Sequence, residues 1–250
     1  MQTGTLEAGI PARKFNDMAQ LPHSHGTAIR TDIILSTPGG EGASGARRGP
    51  QAFLVEQSEE SLAGSHYHVE AQFQVVVAGS GAIGRHELTP YTVHYANPYT
   101  GYGPILAGPQ GLSYVTLRAV GDPHRPFYLP DTKDQMKPGP RLNLTSDAIP
   151  GGDPGGVKAA QCETVMEPRP DGIAVWMVRL PPNQSAPAPR HANGGGQFRL
   201  VVSGGMRSGD AVLARLGTAF HAAEESEKVI AAGPGGLEVL VLQFAGKPAE

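Results

Sequence analysis

The chain has 250 residues, enough for one large domain or two of ordinary size, and 39% of them are hydrophobic, which is sufficient for a packed core. The net charge is −3 and the Lys and Arg residues are scattered, which excludes the charge pattern of a nucleic-acid-binding protein. No apolar run approaches the roughly 18 residues of a membrane helix and the N-terminus lacks a secretory pattern, so we expect a cytoplasmic protein without membrane contact.

Predicted strands in the first half are short apolar, β-branched runs between turn residues. Residues 1–30 are polar and irregular, and we expect them to form an N-terminal arm. A Gly-rich loop is predicted over residues 37–50. The strands are predicted at residues 29–36, 52–56, 73–78, 93–96 and 112–119.

The second half begins after residues 121–156, a Pro-, Gly- and Asp-rich stretch that we interpret as a linker. Strands are predicted beyond it at residues 174–180, 198–203, 219–222 and 237–244, and a loop at residues 224–228. The chain contains 34 Gly and 23 Pro, which indicates many tight turns. Short strands separated by turns, without long helices between them, favour an all-β sandwich or barrel.

The second half also repeats the first at a displacement of 125 residues. Residues 66–79 (HYHVEAQFQVVVAG) and 191–204 (HANGGGQFRLVVSG) are identical at six of fourteen positions. Residues 107–117 (AGPQGLSYVTL) and 232–242 (AGPGGLEVLVL) are identical at six of eleven. Such periodicity indicates two diverged copies of one unit. We therefore predict two domains, residues 31–120 and 157–250.

Candidate ligands for a metal stand at the start of the repeated segment. His66 and His68 are two residues apart just before a predicted strand, so both imidazoles face the same side of extended backbone. Neutral imidazoles that converge on one cavity are typical ligands of first-row metals. Gln72 follows four residues later, and Gly79 closes the strand.

This arrangement resembles the first motif of the cupin superfamily, in which His-x-His is followed by Glu and then by Gly. The resemblance implies that each copy is a cupin jelly-roll β-barrel, that the chain is a bicupin, and that the first barrel holds a divalent Fe, Mn, Ni or Zn ion. Both copies depart from the pattern, because Gln72 and Gln197 stand where cupins carry a metal-binding Glu.

The third imidazole ligand of the family is harder to place in the first copy. An alignment on the turn at residues 90–92 puts that position near Tyr102 or Gly103. A rival register that starts at Gly84 makes His94 the third ligand, with a shorter spacing between the two motifs than cupins usually have. The predicted metal ligands are therefore His66, His68, Gln72 and His94.

The second copy has lost more of the pattern. Asn193 replaces the second His of the motif, and the third position falls near Glu227 or Lys228. His191 alone does not make a metal site. We therefore predict that the second barrel is structural or holds a non-metal pocket.

Tyrosines cluster near the predicted site, between residues 91 and 102. Tyrosine suits half-wet positions at a barrel mouth, and packing accounts for most of these residues. Tyr99 and Tyr102 are the candidates for contact with a ligand or for proton donation.

Two functions follow from this reading. The first is a metal-dependent enzyme of dioxygenase, lyase or isomerase type acting on a small organic molecule. The alternative is a non-catalytic binder of small molecules with a degraded metal site. One chain supplies both barrels, so a monomer or a homodimer is expected.

Overall fold

The computed structural model describes residues 1–36, 48–225 and 229–246. The chain forms two compact units. One comprises Gly9–Ile149, and the other combines Met1–Ala8 with Pro150–Glu250. Most of the predicted loop at residues 37–50 lies outside the described residues.

Extended strands dominate both units, which confirms the all-β prediction. In chain order the described strands are β1 (Gln2–Gly4), β2 (Lys14–Asp17), β3 (Thr27–Ile34), β4 (Gln51–Gln57), β5 (Leu62–Ala63), β6 (His66–Tyr67), β7 (Gln72–Ile83), β8 (His86–Leu88), β9 (Val93–Ala96), β10 (Ile105–Arg118), β11 (Phe127–Tyr128), β12 (Asn143–Thr145), β13 (Gln161–Met166), β14 (Ala174–Leu180), β15 (Ser185–Pro187), β16 (Gly194–Ser208), β17 (Ala211–Leu213), β18 (Thr218–His221) and β19 (Val229–Ala245). Helical structure in the described residues is limited to α1 (Leu6–Gly9) and to 3₁₀ turns at Ile10–Ala12, Met18–Gln20, Lys133–Gln135 and Pro154–Gly156.

The main sheet of each unit is antiparallel. In the first unit its order is β12-β9-β7-β10-β4-β3-β2, with β5 on β10 and β8 on β7, and β6 pairs separately with β11. In the second unit the order is β1-β18-β16-β19-β14-β13, with β15 on β19 and β17 on β16. Five successive strands of each order, β9-β7-β10-β4-β3 and β18-β16-β19-β14-β13, therefore correspond.

Two segments that the sequence predicts to be irregular take part in these sheets. Residues 1–30, expected as an arm, contribute β1, β2 and part of β3, and residues 121–156, expected as a linker, contribute β11 and β12. The short strands β1, β2 and β12 each lie at the end of a sheet order. Edge strands are held by backbone hydrogen bonds on one side, so their sequences need no apolar alternation that could reveal them.

Glycines shared by the two copies stand where the backbone requires them. Gly79 and Gly204 have φ of 72° and 71°, a conformation that L side chains rarely adopt. A Cβ at Gly79 would lie 2.1 Å from the carbonyl oxygen of Gly111, and one at Gly204 would lie 2.2 Å from that of Gly236. Part of the sequence identity between the copies therefore reflects the path of the backbone.

The interiors of the two barrels differ in polarity. An apolar cluster of thirteen buried residues, which includes Trp176 and Ile230, fills the second barrel. The first barrel has its own apolar cluster, and among the described residues its buried polar side chains outnumber those of the second barrel. Three interior positions of β10 and their counterparts on β19 show the contrast: Tyr114, Thr116 and Arg118 against Val239, Val241 and Gln243.

Candidate functional site

The first barrel encloses a cavity of about 490 Å³, which we call the chamber. Its walls come from β2, β3, β4, β6, β7 and β10, and from residues 124–128 of the predicted linker. A cavity of this volume is typical of sites for small organic molecules. Polar side chains on its wall include Gln57, His66, His68, Gln72, Gln74, Tyr102, Thr116 and Arg118.

The two histidines of the His-x-His motif both border the chamber. The rings of His66 and His68 are perpendicular, with centroids 5.4 Å apart. The loop before β10 holds their backbone in place. His66 exchanges two backbone hydrogen bonds with Tyr102, at 3.1 and 3.0 Å, and the Tyr99 amide donates to the His68 carbonyl at 2.7 Å.

Hydrogen bonds fix the tautomer of each imidazole. His66 Nδ1 lies 2.7 Å from the Gly64 carbonyl oxygen, which only accepts, so Nδ1 carries the proton. His68 Nδ1 lies 3.0 Å from Oδ2 of Asp122, whose other oxygen accepts from the His124 amide at 2.8 Å. Burial raises the pKa of Asp122, but these hydrogen bonds lower it by more, so the carboxylate is ionised and His68 Nδ1 donates to it.

Both imidazoles are neutral near pH 7. Burial lowers the pKa of His66 to about 4 and that of His68 to about 3, and the positive charge of Arg118 adds to both effects. In each ring Nε2 therefore has a bare lone pair. Since the described residues supply no hydrogen bond to either Nε2, both lone pairs can accept a hydrogen bond from a molecule in the chamber.

Gln72 is engaged by a buried arginine. Arg118 lies on β10, opposite Gln51 on β4, and is 3% exposed. Its Nε and Nη2 donate to Gln72 Oε1 at 3.0 and 2.8 Å, and its Nη1 donates to Gln51 Oε1 at 2.9 Å. Gln72 Nε2 in turn donates to the Tyr102 hydroxyl at 2.6 Å. Both polar atoms of the Gln72 side chain thus have partners within the protein.

The residues at the chamber fit a divalent metal only in part. The lone pairs of His66 and His68 are suitable ligands, and their Nδ1 partners orient them as acceptors orient metal-binding histidines. The Gln72 oxygen, however, receives two N–H groups, and the adjacent Arg118 charge repels a cation. Within the described ranges no three His, Cys, Asp or Glu side chains form a group that could hold a metal. As placed, these residues do not fit a divalent ion.

The other predicted site residues have different surroundings. His94 is buried, but the Tyr102 ring stands between it and His66, with centroids 5.2 Å from His94 and 4.6 Å from His66. His94 instead bonds Thr145 and borders a separate void and an outer cleft. The Tyr99 ring packs against that of Tyr67 at 5.8 Å, outside the wall of the chamber, because its backbone turns with φ of 55°.

Tyr102 borders the chamber, as the candidate role requires. Burial raises the pKa of its hydroxyl, so the group stays protonated near pH 7. The hydroxyl accepts the Gln72 hydrogen bond and keeps its own proton for donation. A donor role for Tyr102 stays a prediction.

The second barrel places an amide pair where the first has an amide and a cation. Gln197 Nε2 donates to Gln243 Oε1 at 2.9 Å, and Gln243 Nε2 donates to a backbone carbonyl at 2.6 Å. Gln197 and Gln243 correspond to Gln72 and Arg118 at the displacement of 125 residues. The charge of Arg118 therefore has no counterpart at the matching position of the second barrel, whose buried charged residues Arg199 and Glu238 lie at other positions.

In the second copy, His191 and Asn193 stand at the positions of His66 and His68 and contact each other. His191 Nδ1 accepts from the amide of Asn193 at 3.3 Å, and both side chains are partly or largely exposed. The third-ligand position near Glu227 or Lys228 lies outside the described residues. A further imidazole of this barrel, His221 on β18, is buried opposite Gln197.

Sequence reasoning missed Arg118 and Asp122. Arg118 could have been noticed, because it shares the alternation of Tyr114 and Thr116 and corresponds to Gln243 in the repeat. Asp122 gave no signal, since it lies in the predicted linker and reaches His68 only through the return of the chain after β10.

Comparisons with known proteins identify the fold. No protein-family model matches the chain, and no curated protein matches it significantly. Solved structures do match: a candidate dioxygenase from Nostoc punctiforme (14% identity, TM-score 0.57, covering 95% of this chain and 84% of that one), an oxalate decarboxylase from Lactobacillus farciminis in a formate complex (10%, 0.57, 93% and 86%), and a Bacillus subtilis oxalate decarboxylase with Mn(II) centres (11%, 0.54, 94% and 78%).

No helix in the described part of the chain is long and apolar enough to cross a membrane. The matched structures are bicupins, and they align over nearly the whole chain. The chain therefore has the bicupin fold, with two β-barrels in one polypeptide.

Proposed function

We propose that the first barrel is the functional half of this bicupin and that it binds a small organic molecule in the chamber. The observation that carries the proposal is the pair of neutral imidazoles, His66 and His68, whose Nε2 lone pairs have no partner among the described residues of a buried site. Neither Nε2 is among the fully buried polar atoms without a partner, so both lone pairs are accessible from the chamber. A ligand in the chamber can donate hydrogen bonds to them.

The second barrel serves in this proposal as a structural half. Its interior carries apolar residues where the chamber wall is polar, and Gln197 and Gln243 satisfy each other and the backbone. The chain would act as a monomer or a homodimer in the cytoplasm.

A metal-dependent enzyme of dioxygenase, lyase or isomerase type is the second candidate. What favours it is that His66 and His68 already present the lone pairs that a divalent ion needs. The matched structures include proteins named as a dioxygenase and as oxalate decarboxylases. The engaged Gln72 oxygen and the charge of Arg118 weigh against it.

The binding proposal can be tested by NMR of the histidine imidazoles during titration with a library of small polar organic molecules. Binding in the chamber should shift the signals of His66 and His68 and leave those of His191 unchanged. A library in which no member shifts either chamber histidine would overturn the proposal.

Metal analysis separates the second candidate. The protein, purified without a chelating tag, is loaded anaerobically with Fe(II) or Mn(II) and its metal content is measured. Near-stoichiometric metal that disappears in His68→Ala but persists in His191→Ala would establish the metal-dependent alternative. Metal content well below stoichiometric supports the binding chamber.

A further inference from the structure

We propose, building on the chamber as a ligand site, that its ligand is an organic hydroxy-carboxylate whose carboxylate binds Arg118 and whose hydroxyl donates to Nε2 of His66 or His68. The guanidinium then supplies the positive charge that a metal ion supplies in a metal-binding barrel. The inference rests on three features of the chamber wall: unused donors on Arg118, an excess of cations, and imidazole acceptors that a carboxylate alone cannot satisfy.

Arg118 has hydrogen-bonding capacity left over. A guanidinium carries five N–H donors, and Arg118 spends three of them on the side-chain oxygens of Gln72 and Gln51. One N–H on each Nη remains at a residue that borders the chamber. Both partners are neutral amides. The nearby carboxylate of Asp122 acts on Arg118 through its field while its oxygens bond His68 and a backbone amide.

The charges around the chamber favour an anion. Three arginines border it, Arg30, Arg118 and Arg125, against one carboxylate, Asp17. Arg30 is paired with Asp32, so the charges that remain for a ligand are those of Arg118 and Arg125. Asp17 already accepts hydrogen bonds from the Ala19 amide at 3.0 Å and from a glutamine side chain at 3.3 Å. Arginine binds carboxylates with paired N–H groups, a geometry that the two unused Nη donors suit.

The imidazoles add a second requirement. Nε2 of His66 and of His68 accepts hydrogen bonds, because both Nδ1 atoms carry the proton. A carboxylate has no proton to donate, so its oxygens would face these acceptors without bonding them. A hydroxyl group beside the carboxylate supplies the missing donor, and one molecule then satisfies both the guanidinium and an imidazole.

The apolar part of the chamber wall indicates what the rest of the ligand is like. Apolar side chains line the side of the chamber formed by β3, β4 and the turn after β2; these are Leu21, Ala28, Phe53 and Val55. Burial of an apolar group against these side chains favours binding. A hydroxy-carboxylate with an aromatic or aliphatic body therefore matches the whole chamber.

Isothermal titration with three matched probes tests the inference: mandelate, mandelamide, which lacks the charge, and phenylacetate, which lacks the hydroxyl. Each enantiomer of mandelate is titrated at neutral pH. We expect the better enantiomer to bind about tenfold or more tightly than mandelamide, since a charge-assisted hydrogen bond is lost. It should bind about threefold or more tightly than phenylacetate, which lacks one neutral hydrogen bond.

Arg118→Gln copies the residue that the second barrel carries at Gln243, so the barrel is expected to fold, and thermal unfolding checks this. The variant should bind mandelate and mandelamide equally. Arg85→Gln, which removes the same charge from an exposed position outside the chamber, should keep the wild-type preference. If Arg118→Gln does not fold, the three probes on the wild-type protein decide the question alone.

Equal affinity of the wild-type protein for mandelate and mandelamide overturns the carboxylate, and equal affinity for mandelate and phenylacetate overturns the hydroxyl. If none of the three probes binds, the inference is overturned. If library members still shift the His66 and His68 signals in that case, the binding chamber stands and only the ligand class is wrong.

Discussion

The proton on His68 is held in place by Asp122, so changing Asp122 to Asn should move that proton to the other nitrogen. The His124 amide bonds one Asp122 oxygen at 2.8 Å, and only an acceptor can take that bond. The Asn oxygen must therefore stay there, which turns the Asn NH₂ group towards His68 Nδ1. Because NH₂ donates, Nδ1 must accept, and the imidazole then carries its proton on Nε2.

The size of the effect follows from the burial of this pair. The Asp122 side chain is 0% exposed, and its bond to His68 measures 3.0 Å. A hydrogen bond to a charged group contributes about 1.5–3 kcal/mol and a neutral one about 0.5–1.5 kcal/mol, so Asp122→Asn should lower the free energy of unfolding by about 1–2 kcal/mol. If the hydroxyl of mandelate bonds His68, affinity should fall about three- to tenfold, because Nε2 no longer accepts.

Long-range ¹H–¹⁵N NMR of the imidazoles reads the tautomer directly. We expect His68 to be protonated at Nδ1 in the wild-type protein and at Nε2 in Asp122→Asn. Asp131→Asn is the matched control, since Asp131 pairs with the exposed His23 and should leave His68 unchanged. A wild-type His68 protonated at Nε2, or a variant that keeps the proton on Nδ1, would refute the reasoning.

Three further predictions concern charged side chains. The double variant Gln72→Glu with Arg118→Gln should bind Zn(II) stoichiometrically, because it removes the guanidinium and adds a carboxylate beside two neutral imidazoles. Elemental analysis measures the bound zinc, and a zinc content no higher than that of the wild-type protein would contradict the charge argument. Gln243→Arg should lower the free energy of unfolding by about 3 kcal/mol or more in denaturant titration, because it buries a cation among groups that already satisfy one another; a loss within error would contradict this. Burial raises the pKa of Asp32, but Arg30 and a lysine lower it by more, so its ion pairs stabilise the fold above about pH 4 and are lost as the pH falls through the lowered pKa. Asp32→Asn should therefore lower stability by about 1–2 kcal/mol at neutral pH and by much less in acid, and a pH-independent difference would count against the ion pairs.

The central strands were predictable because apolar, β-branched runs mark them directly. Each of the nine predicted segments contains a strand, and the segment at residues 93–96 matches β9 at both ends. The strand predicted at residues 112–119 begins seven residues earlier in the structure, because β10 runs from Ile105 to Arg118 with an irregularity in pairing after Ala107. Edge strands escaped detection, because their sequences need no apolar alternation.

At the site, period-two alternation was sufficient to bring His66 and His68 to one cavity, and the sequence also showed that Gln72 replaces an acidic ligand. What it did not show is the partner of Gln72. Arg118 could have been found by asking which polar residue of β10 shares its alternation. Asp122 could not, because its contact depends on how the chain turns back after the sheet.

The contrast between a chamber in one barrel and an apolar filling in the other has a consequence for heating. Side chains around a cavity lack the packing contacts that a filled interior provides. The first barrel therefore lacks stabilisation that Trp176 and its neighbours give the second barrel. Calorimetry should accordingly resolve two melting events, the earlier one from residues 9–149. A molecule that fills the chamber should raise only that earlier event and draw the two together.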